Sequence, residues 1–414
     1  MKLSEDLVWR GLIKDKTFDD VTWIDKPRSF YFGVDASSNS LTIGNLAALM
    51  LARRLKAAGW NAFLLVGGAT SLIGDPGGKD EERPLLPREE VQKNTEAIKK
   101  QITTVFGDEE YTPVDNFDWF KDVLYLDFLR EVGKHFSMTE LMQRDFISER
   151  MGEGGSGISY AEFSYSLIQG YDYWQLYKNH KVVLQIGASD QWGNILSGVA
   201  LIRKKEGKQV HALCMPLVIN KSTGKKFGKT EAGAVWLDPN KTSPTQFFQF
   251  WMNVDDDAIE DYLKVFTLLS KDEIEQIIKK HEEDPSARYG QTQLALNVAK
   301  IVHGDVGTDN ASIVTKYLTA QASISDADEE EMDAIRSEIP FIRVKAGVPT
   351  IEILVNTKLA NSNTEARRLL SSGAVYINGE TFNGTHIESK LFKNKRLILR
   401  RGKAHKDSAL VELE

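Results

Sequence analysis

Tyr31-Phe32-Gly33-Val34-Asp35-Ala36-Ser37-Ser38-Asn39-Ser40-Leu41-Thr42-Ile43-Gly44-Asn45-Leu46 is the stretch on which the reading of this chain turns. Phe30 to Val34 is aromatic and β-branched, the pattern of a short buried strand ending at Asp35. Small polar residues follow, and then Leu46, Leu49, Met50 and Ala57 share one face of a helix that begins near residue 44. Strand, loop and helix N-terminus in that order can hold a nucleotide phosphate, because unpaired N–H groups and the positive end of the helix dipole point at it. Gly44 would admit close backbone approach, and Thr42 and Asn45 offer neutral hydrogen bonds. Many such turns bind nothing, so the stretch needs partners elsewhere in the chain.

At 414 residues the chain has room for about two to four domains. No apolar run is long enough to cross a bilayer, and a membrane partner is not expected. Met1-Lys-Leu-Ser-Glu-Asp6 carries early acids and no hydrophobic core, so neither a secretory nor a mitochondrial presequence is visible and a cytoplasmic location is expected. The single cysteine, Cys214, sits in an apolar run as a small hydrophobe; it excludes internal disulfides and cysteine zinc clusters. The net charge of −7 is unevenly spread. Residues 326–338 are strongly acidic, whereas the chain beyond Thr350 is basic, an asymmetry that favours a phosphate-backbone partner more than the total disfavours one.

Residues 30–66 read as one β-α-β unit closing on the strand Phe63-Leu-Leu-Val66. Gly67 and Gly68 follow, where a ligand could pack on bare backbone, and Asp75 is placed to meet a cation such as an ammonium. A solvated turn explains 67–79 equally well; the sequence is not a Walker A loop, since Ile73 and Asp80 occupy two of its defining positions. Gly152 to Gly157 matches a dinucleotide fingerprint letter for letter but follows a helical segment, so it is read as a loop. Tyr165, Gln169 and Asp172 fall on one helix face and could bind an ammonium group and a polar side-chain tip; a solvated face is the alternative, with the aromatic context favouring a pocket. Val182 to Ile186 is a buried strand leading to Asp190, which suits a ribose hydroxyl. After a strand from His211 to Ile219, the lysine-dense loop Asn220 to Thr230 can close over polyphosphate, or form a surface charge run. In an open parallel sheet these four strand-end loops meet at one crevice, which raises the whole above any single motif.

The expected fold is therefore α/β. A Rossmann-like doubly wound parallel sheet spans 1–235, with a helical insertion over about 89–175. An α-helical domain at 236–322, an acidic linker at 323–346 whose most acidic part is a helix edge at most, and a small α+β module at 347–414 follow. In that module Ser362 and Glu365 form a capping box, and Asn378-Gly379 is a hairpin turn.

Together these residues resemble the bacterial-type tyrosyl-tRNA synthetases, a branch of the class I aminoacyl-tRNA synthetases. The resemblance spans nearly the whole chain. It rests on Tyr31 to Asp35, Val66 to Thr70 with Gly74-Asp75-Pro76, Glu162 to Tyr165 with Gln169 and Asp172, Gln185 to Asn194, and Lys226-Phe227-Gly228-Lys229-Thr230. The basic C-terminal module is similar to the S4-type RNA-binding domain. The resemblance implies activation of L-tyrosine by Mg2+-bound ATP, without a dedicated protein metal site, then transfer to tRNA(Tyr) by a homodimer that tRNA bridges, with 236–322 as the anticodon-recognition domain. It implies that Tyr31 and Asp172 bind the phenol, that Asp75, Tyr165 and Gln169 hold the ammonium, and that Asp35 and Gln191 complete the tyrosine site. Gly33, Ser37, Gly44, Asn45 and Asp190 then line the ATP site. Lys226 and Lys229 stabilise the leaving pyrophosphate, with Lys79 and Arg83 nearby, and Arg203, Lys204, Arg367, Arg368, Arg400, Arg401 and Lys403 contact tRNA. One departure stands out: the family's His-Ile-Gly-His is Thr42-Ile43-Gly44-Asn45 here, and none of the seven histidines lies in this loop. Thr42 then offers only a hydroxyl to the γ-phosphate, and a slower activation step is expected. Ala188 stands where a second glycine is common. A tryptophan-specific relative and a synthetase-derived RNA-binding protein that has lost activation are the competing readings; Tyr31 with Asp172 and the basic module oppose the first, and the missing histidines motivate the second.

Overall fold

The computed structural model describes residues 1–75, 85–142, 145–152, 154–221, 223–230, 233–402 and 407–414, with the backbone alone at Glu140, Asp145, Phe146, Glu149, Lys229 and Thr230. It divides into two units, Met1–Asp238 with Glu260–Glu275, and Pro239–Ile259 with Gln276–Glu414.

The first unit is built on six strands: β1 (Asp15–Lys16), β2 (Ser29–Asp35), β3 (Asn61–Gly67), β4 (Thr112–Asp115), β5 (Leu184–Ala188) and β6 (His211–Met215). Their spatial order is β1-β6-β5-β2-β3-β4, with β2 to β6 parallel and β1 antiparallel to β6. The chain moves outward from β2 through β3 to β4 and then returns to lay β5 on the other side of β2. That reversal opens a crevice beyond the carboxyl ends of β2 and β5. β3, β5 and β6 are buried almost throughout, which is why they read as apolar runs, and Cys214 is a buried thiol within β6. α1 (Ile43–Ala57) links β2 to β3, and α2 (Arg88–Phe106) lies between β3 and β4. α3 (Tyr160–His180) precedes β5, and α4 (Trp192–Glu206) links β5 to β6. The loop Gly152–Gly157 follows the helix Asp145–Met151 rather than a strand.

A contiguous helical domain over 236–322 is not what the chain forms. After α5 (Pro244–Met252), α6 (Ile259–Phe266) returns to the first unit. Two buried arginines explain the return. Arg10 donates to the carbonyls of Lys264 (3.0 Å) and Leu269 (2.6 Å), and Arg54 to those of Lys264 (3.0 Å), Val265 (3.3 Å) and Thr267. These carbonyls lie at and beyond the end of α6, where helical acceptors are unsatisfied. Burial, and then the neighbouring charge of Arg10, lowers the Arg54 guanidinium to about 9, while Asp6 accepts from Arg10 at 2.8 Å.

In the second unit α5 packs on α7 (Tyr289–Leu318), which kinks at Gly304 where φ is +72°. The acidic stretch expected as a linker is instead a helix, α8 (Glu329–Glu338). Asp328 caps it by accepting from the Glu331 N–H at 2.8 Å, and acids in its first turn suit the helix dipole. Met332, Ile335 and Ile339 are buried with Val314 and Tyr317 of α7 and with Ile398 and Leu410. Those apolar residues recur at helical spacing, a signal that the acid count masked. Five short strands then form one sheet in the order Glu380–Thr381, Val375–Ile377, Arg396–Arg401, Ser408–Leu413, Phe341–Val344. It shares a core with the helices Thr350–Asn356 and Asn363–Ser371. Ser362 accepts from the Glu365 N–H at 3.2 Å, and Asn378 and Gly379 take φ of +48° and +91° in their turn.

Ile335→Ala should lower unfolding stability by about 2–5 kcal/mol in a urea titration, whereas Glu330→Ala on the exposed face should change it by less than about 0.5 kcal/mol. Equal, negligible effects would return 323–346 to the linker reading.

Candidate active site

A cleft of about 360 Å3 opens beyond β2 and β5, lined by Tyr31, Gly33, Asp35, Ser37, Thr42, Gly44, Asn45, Asp75, Tyr165, Gln169, Asp172, Asp190, Gln191 and Lys226 among others. Loops separated by more than a hundred residues thus meet on one surface, as the strand reversal requires.

The deep end is a cage of buried polar groups. Tyr165, Gln169 and Asp172 project from one face of α3, and Tyr31 from β2. Asp172 is 2% exposed; Trp119 Nε1 donates to its Oδ1 at 2.9 Å and Asn116 Nδ2 to its Oδ2 at 3.1 Å. Burial nevertheless pushes its carboxyl up to about 8, because two neutral donors do not replace water around a charge. The Tyr31 phenol is raised well above its usual range by burial and then by the charge of Asp172, and its hydroxyl has no partner among the described residues. Tyr165 Oη donates to Asp35 Oδ2 at 2.9 Å. Gln191 Nε2 donates to Asp75 Oδ2 at 2.6 Å, and Asn194 Nδ2 to Gln191 Oε1 at 3.2 Å. A buried carboxyl and a hydroxyl at the deep end, with further acidic side chains above them, suit a small molecule carrying a hydroxyl at one end and a cation at the other.

Asn116 and Trp119 escaped the sequence reading. They follow directly on β4, a strand inside the stretch expected as a helical insertion over about 89–175, so the strand-end logic that found Asp190 had no strand end to start from. Gln185 was also missed as a lining residue: its Oε1 is buried without a partner among the described residues, and one amide inside an apolar strand was the available signal.

At the open end, Gly44 borders the cleft, and a Cβ there would meet only Thr42 Oγ1, at 3.6 Å. Thr42 Oγ1 donates to Asn45 Oδ1 at 2.9 Å, so the hydroxyl expected at a phosphate is engaged within its own turn. Lys226 Nζ lies 2.8 Å from Asp190 Oδ2, pairing the loop lysine with the expected ribose ligand. Phe227, odd in a run of lysines, is buried against Tyr262 (4.3 Å between centroids) and Phe266 (5.7 Å) of α6. Gly228 takes φ of +83°. β7 (Lys229–Thr230) and β8 (Gly233–Ala234) follow as an antiparallel pair. Lys79, Arg83 and Lys403 lie outside the described residues, as does the Lys229 side chain.

The glycine pair does not serve the ligand contact expected of it. A Cβ on Gly67 would fall 2.0 Å from Thr70 Oγ1 and 2.8 Å from Asp35 Oδ1, and one on Gly68 2.4 Å from Asp115 Oδ1. These glycines make room for protein side chains that buttress the loop; Asp115 also accepts from the N–H groups of Gly68 (3.1 Å) and Phe117 (2.9 Å).

The basic residues fare unevenly. Arg203 is exposed in the last turn of α4, where Lys204 donates to the His135 carbonyl at 2.7 Å. Arg367 and Arg368 are exposed on the helix Asn363–Ser371. Arg401 is tied to Glu365 and to the Leu359 carbonyl, each at 3.1 Å, and Arg400 lies 4.8 Å over the Tyr376 ring, so both have work inside the module.

A carboxyl that titrates near 8 when folded and near 4 when unfolded holds its proton longer in the folded chain, so it costs stability progressively as pH rises between those values. Asp172→Asn should therefore stabilise the ligand-free protein by an amount that grows from pH 5 to pH 8 and then levels off, measured as the difference in thermal midpoint; a pH-independent difference would mean that the folded carboxyl is ionised throughout.

Two family models cover the chain: class I tRNA synthetases (W and Y) over residues 25–319, and the C-terminal domain of SYY-like tyrosine–tRNA ligases over 331–406. The tyrosine–tRNA ligase of Listeria welshimeri and tyrosine–tRNA ligase 1 of Streptococcus thermophilus are each 40% identical over 97% of this chain and 98% of their own length. The C-terminally truncated mitochondrial tyrosyl-tRNA synthetase of Aspergillus nidulans superposes with a TM-score of 0.68 at 30% identity, over 77% of this chain and 94% of that one. A tryptophanyl-tRNA synthetase from Encephalitozoon cuniculi shares the fold, with a TM-score of 0.53 at 13% identity over 80% of this chain and 91% of that one. With both models in register along the sequence and relatives matched almost end to end, the chain belongs to the class I tRNA synthetases of the tryptophan and tyrosine group.

Proposed function

We propose that this protein is a tyrosine–tRNA ligase. It joins L-tyrosine to ATP as tyrosyl-adenylate, releasing pyrophosphate, and then passes the tyrosyl group to a ribose hydroxyl of the 3′-terminal adenosine of tRNA(Tyr), releasing AMP. The observation that carries the choice of amino acid is the deep pair, Tyr31 with a hydroxyl unpartnered among the described residues and Asp172 held by Asn116 and Trp119. A substrate phenol accepts from Tyr31 and donates to Asp172. Phenylalanine leaves the buried Tyr31 hydroxyl unpaired and brings no further donor to the buried Asp172, the costly outcome for a polar site.

Asp75, Tyr165 and Gln169 receive the ammonium group, with Asp35 fixing the Tyr165 phenol and Gln191 steadying Asp75. The substrate carboxylate is then directed toward the open end. There it attacks the α-phosphorus of ATP, forming the carboxyl–phosphorus bond as the bond to pyrophosphate breaks. The nucleophile is already ionised, so no residue removes a proton; rate comes from orientation and from charge placed where negative charge develops. Gly33, Ser37, Gly44 and Asn45 border the triphosphate. Asp190 takes the ribose after exchanging Lys226, which with Lys229, Lys79 and Arg83 meets the departing pyrophosphate. Mg2+ enters with ATP as part of the substrate.

Arg203, Lys204, Arg367, Arg368 and Lys403 supply the tRNA contacts, with Arg400 and Arg401 shaping the module. The partner of the first unit is a second copy of the chain. Leu124, Tyr125, Leu126, Met138 and Tyr160 are large apolar residues left exposed, and the hydroxyls of Tyr125 and Tyr160 lie 3.5 Å apart, which joins the stretch 124–126 to the start of α3. Sedimentation of the parent protein as a dimer, with Leu126→Asp a monomer, checks this assignment; a parent monomer would remove it.

Amino-acid-dependent ATP–pyrophosphate exchange tests the reading. Exchange is expected with tyrosine and not with tryptophan or phenylalanine, and its loss is expected in Asp172→Ala; no exchange with any amino acid would favour the lost-activation reading that the Thr42 and Asn45 replacements motivate. The double variant Arg367→Glu, Arg368→Glu should retain exchange while tRNA charging falls about tenfold or more at physiological salt. Equal charging would show that this helix does not grip tRNA.

A further inference from the structure

The first turn of α1 holds an arrangement that a pair of separate side chains would not produce. Asn45 Oδ1 accepts two hydrogen bonds from one residue, the Thr42 backbone N–H at 3.0 Å and the Thr42 hydroxyl at 2.9 Å. A backbone N–H can only donate, so the atom it faces is the amide oxygen, and Nδ2 is turned the other way. Thr42, Gly44 and Asn45 border the cleft, and among the described residues Nδ2 has no partner. An asparagine without such ties can rotate its amide by a half-turn and present either atom; here the rotation would set Nδ2 against the Thr42 backbone N–H, which can only donate, and lose that bond, while the hydroxyl would have to turn from donor to acceptor.

Thr42 is itself immobilised. Its backbone bridges Trp236, the Ile43 N–H donates to the Val235 carbonyl at 3.1 Å, and Gly228 of the lysine loop packs so closely that an added Cβ would lie 3.4 Å from Ile43 Cβ and 3.6 Å from the Gly44 nitrogen. The turn and the lysine loop are therefore one packed body on the nucleotide side of the cleft. Two features of the sequence that looked like losses, threonine and asparagine in place of histidines, are thereby joined into one device.

We propose that Thr42 is a positioning residue, whose role is to lock the Asn45 amide as a hydrogen-bond donor toward the bound nucleotide. The inference rests on the reading of this end of the cleft as the ATP site. It assigns Thr42 no phosphate contact: its hydroxyl proton goes to Asn45.

Pyrophosphate exchange over a grid of ATP and tyrosine concentrations tests it in the full-length protein. Thr42→Val keeps the shape and the backbone donor but removes the hydroxyl, and should lower kcat/KM for ATP about 3- to 10-fold while KM for tyrosine holds. Thr42→Ser should recover most of that loss. Asn45→Ala should lower kcat/KM for ATP at least as far, and adding Thr42→Val to it should cost less than about twofold more. Asn45→Asp gives a second route if the valine variant folds poorly, since a carboxylate keeps both bonds from Thr42 but has no N–H to offer; it should be as impaired as Asn45→Ala. The proposal is overturned by a Thr42→Val loss of equal size in both backgrounds, by no loss in the parent, or by a fully active Asn45→Asp. The two levels separate cleanly: an impaired Asn45→Ala beside an unaffected Thr42→Val removes only the pairing, whereas an unaffected Asn45→Ala removes the nucleotide reading of this turn.

Discussion

Parallel strands share a direction, so their carboxyl ends lie along one edge of the sheet, and this constraint underlies the cleft. β2 lies between β3 and β5, and the chain leaves it in one direction before returning on the other side. Where that happens, the connections on either side turn away from each other and leave space that backbone does not fill. Tyr31 and Gln185 reach the cleft from within β2 and β5, and many of its other polar residues sit at or past such an edge or on α3, which delivers its row of side chains across it. Register keeps the arrangement level: β2 and β3 pair from Ser29 with Asn61 through Asp35 with Gly67, so their two loops open at the same height.

The cleft is held at a cost in stability. Asp172 remains a buried carboxyl with a strongly raised pKa even with Asn116 and Trp119 on it, and Tyr31 buries a hydroxyl with no described partner. A site of this kind is comfortable only when a ligand completes it, and the surrounding fold must over-determine it in the meantime. Here the buttressing is visible. Asn116 is braced by Thr70 at 3.1 Å and by the Ala69 N–H at 2.7 Å, and the space at Gly67 and Gly68 is filled by Thr70, Asp35 and Asp115.

The lysine loop obeys a similar logic on the other side. Phe227 anchors it in an aromatic pocket made by α6, and α6 is fastened in turn by Arg10 and Arg54 at its carboxyl end. The lysine nearest that anchor, Lys226, is held by Asp190. The charge of Lys226 is thus carried on a segment fixed by apolar packing rather than by its ion pair, which leaves that pair free to rearrange.

Local pattern alone determined much of this protein. Apolar runs marked β2, β3, β5 and β6, helical spacing set Tyr165, Gln169 and Asp172 on one face, and Asn378-Gly379 marked its turn, because each depends only on neighbours within a few residues. Tertiary structure alone decided the rest. The helical character of residues 329–338 was hidden by its acids, since the partners of Met332 and Ile335 lie in α7 and on a strand about seventy residues away. Asn116 and Trp119 became part of the site only when β4 was laid beside β3. The glycine pair admits side chains rather than ligand because Asp115 arrives from that same strand end. The return of α6 to the first unit depends on two arginines more than two hundred residues earlier in the chain. In each case the deciding contact joins residues that no local window contains, and burial, which fixes the worth of a carboxyl or a guanidinium, exists only once the chain has closed.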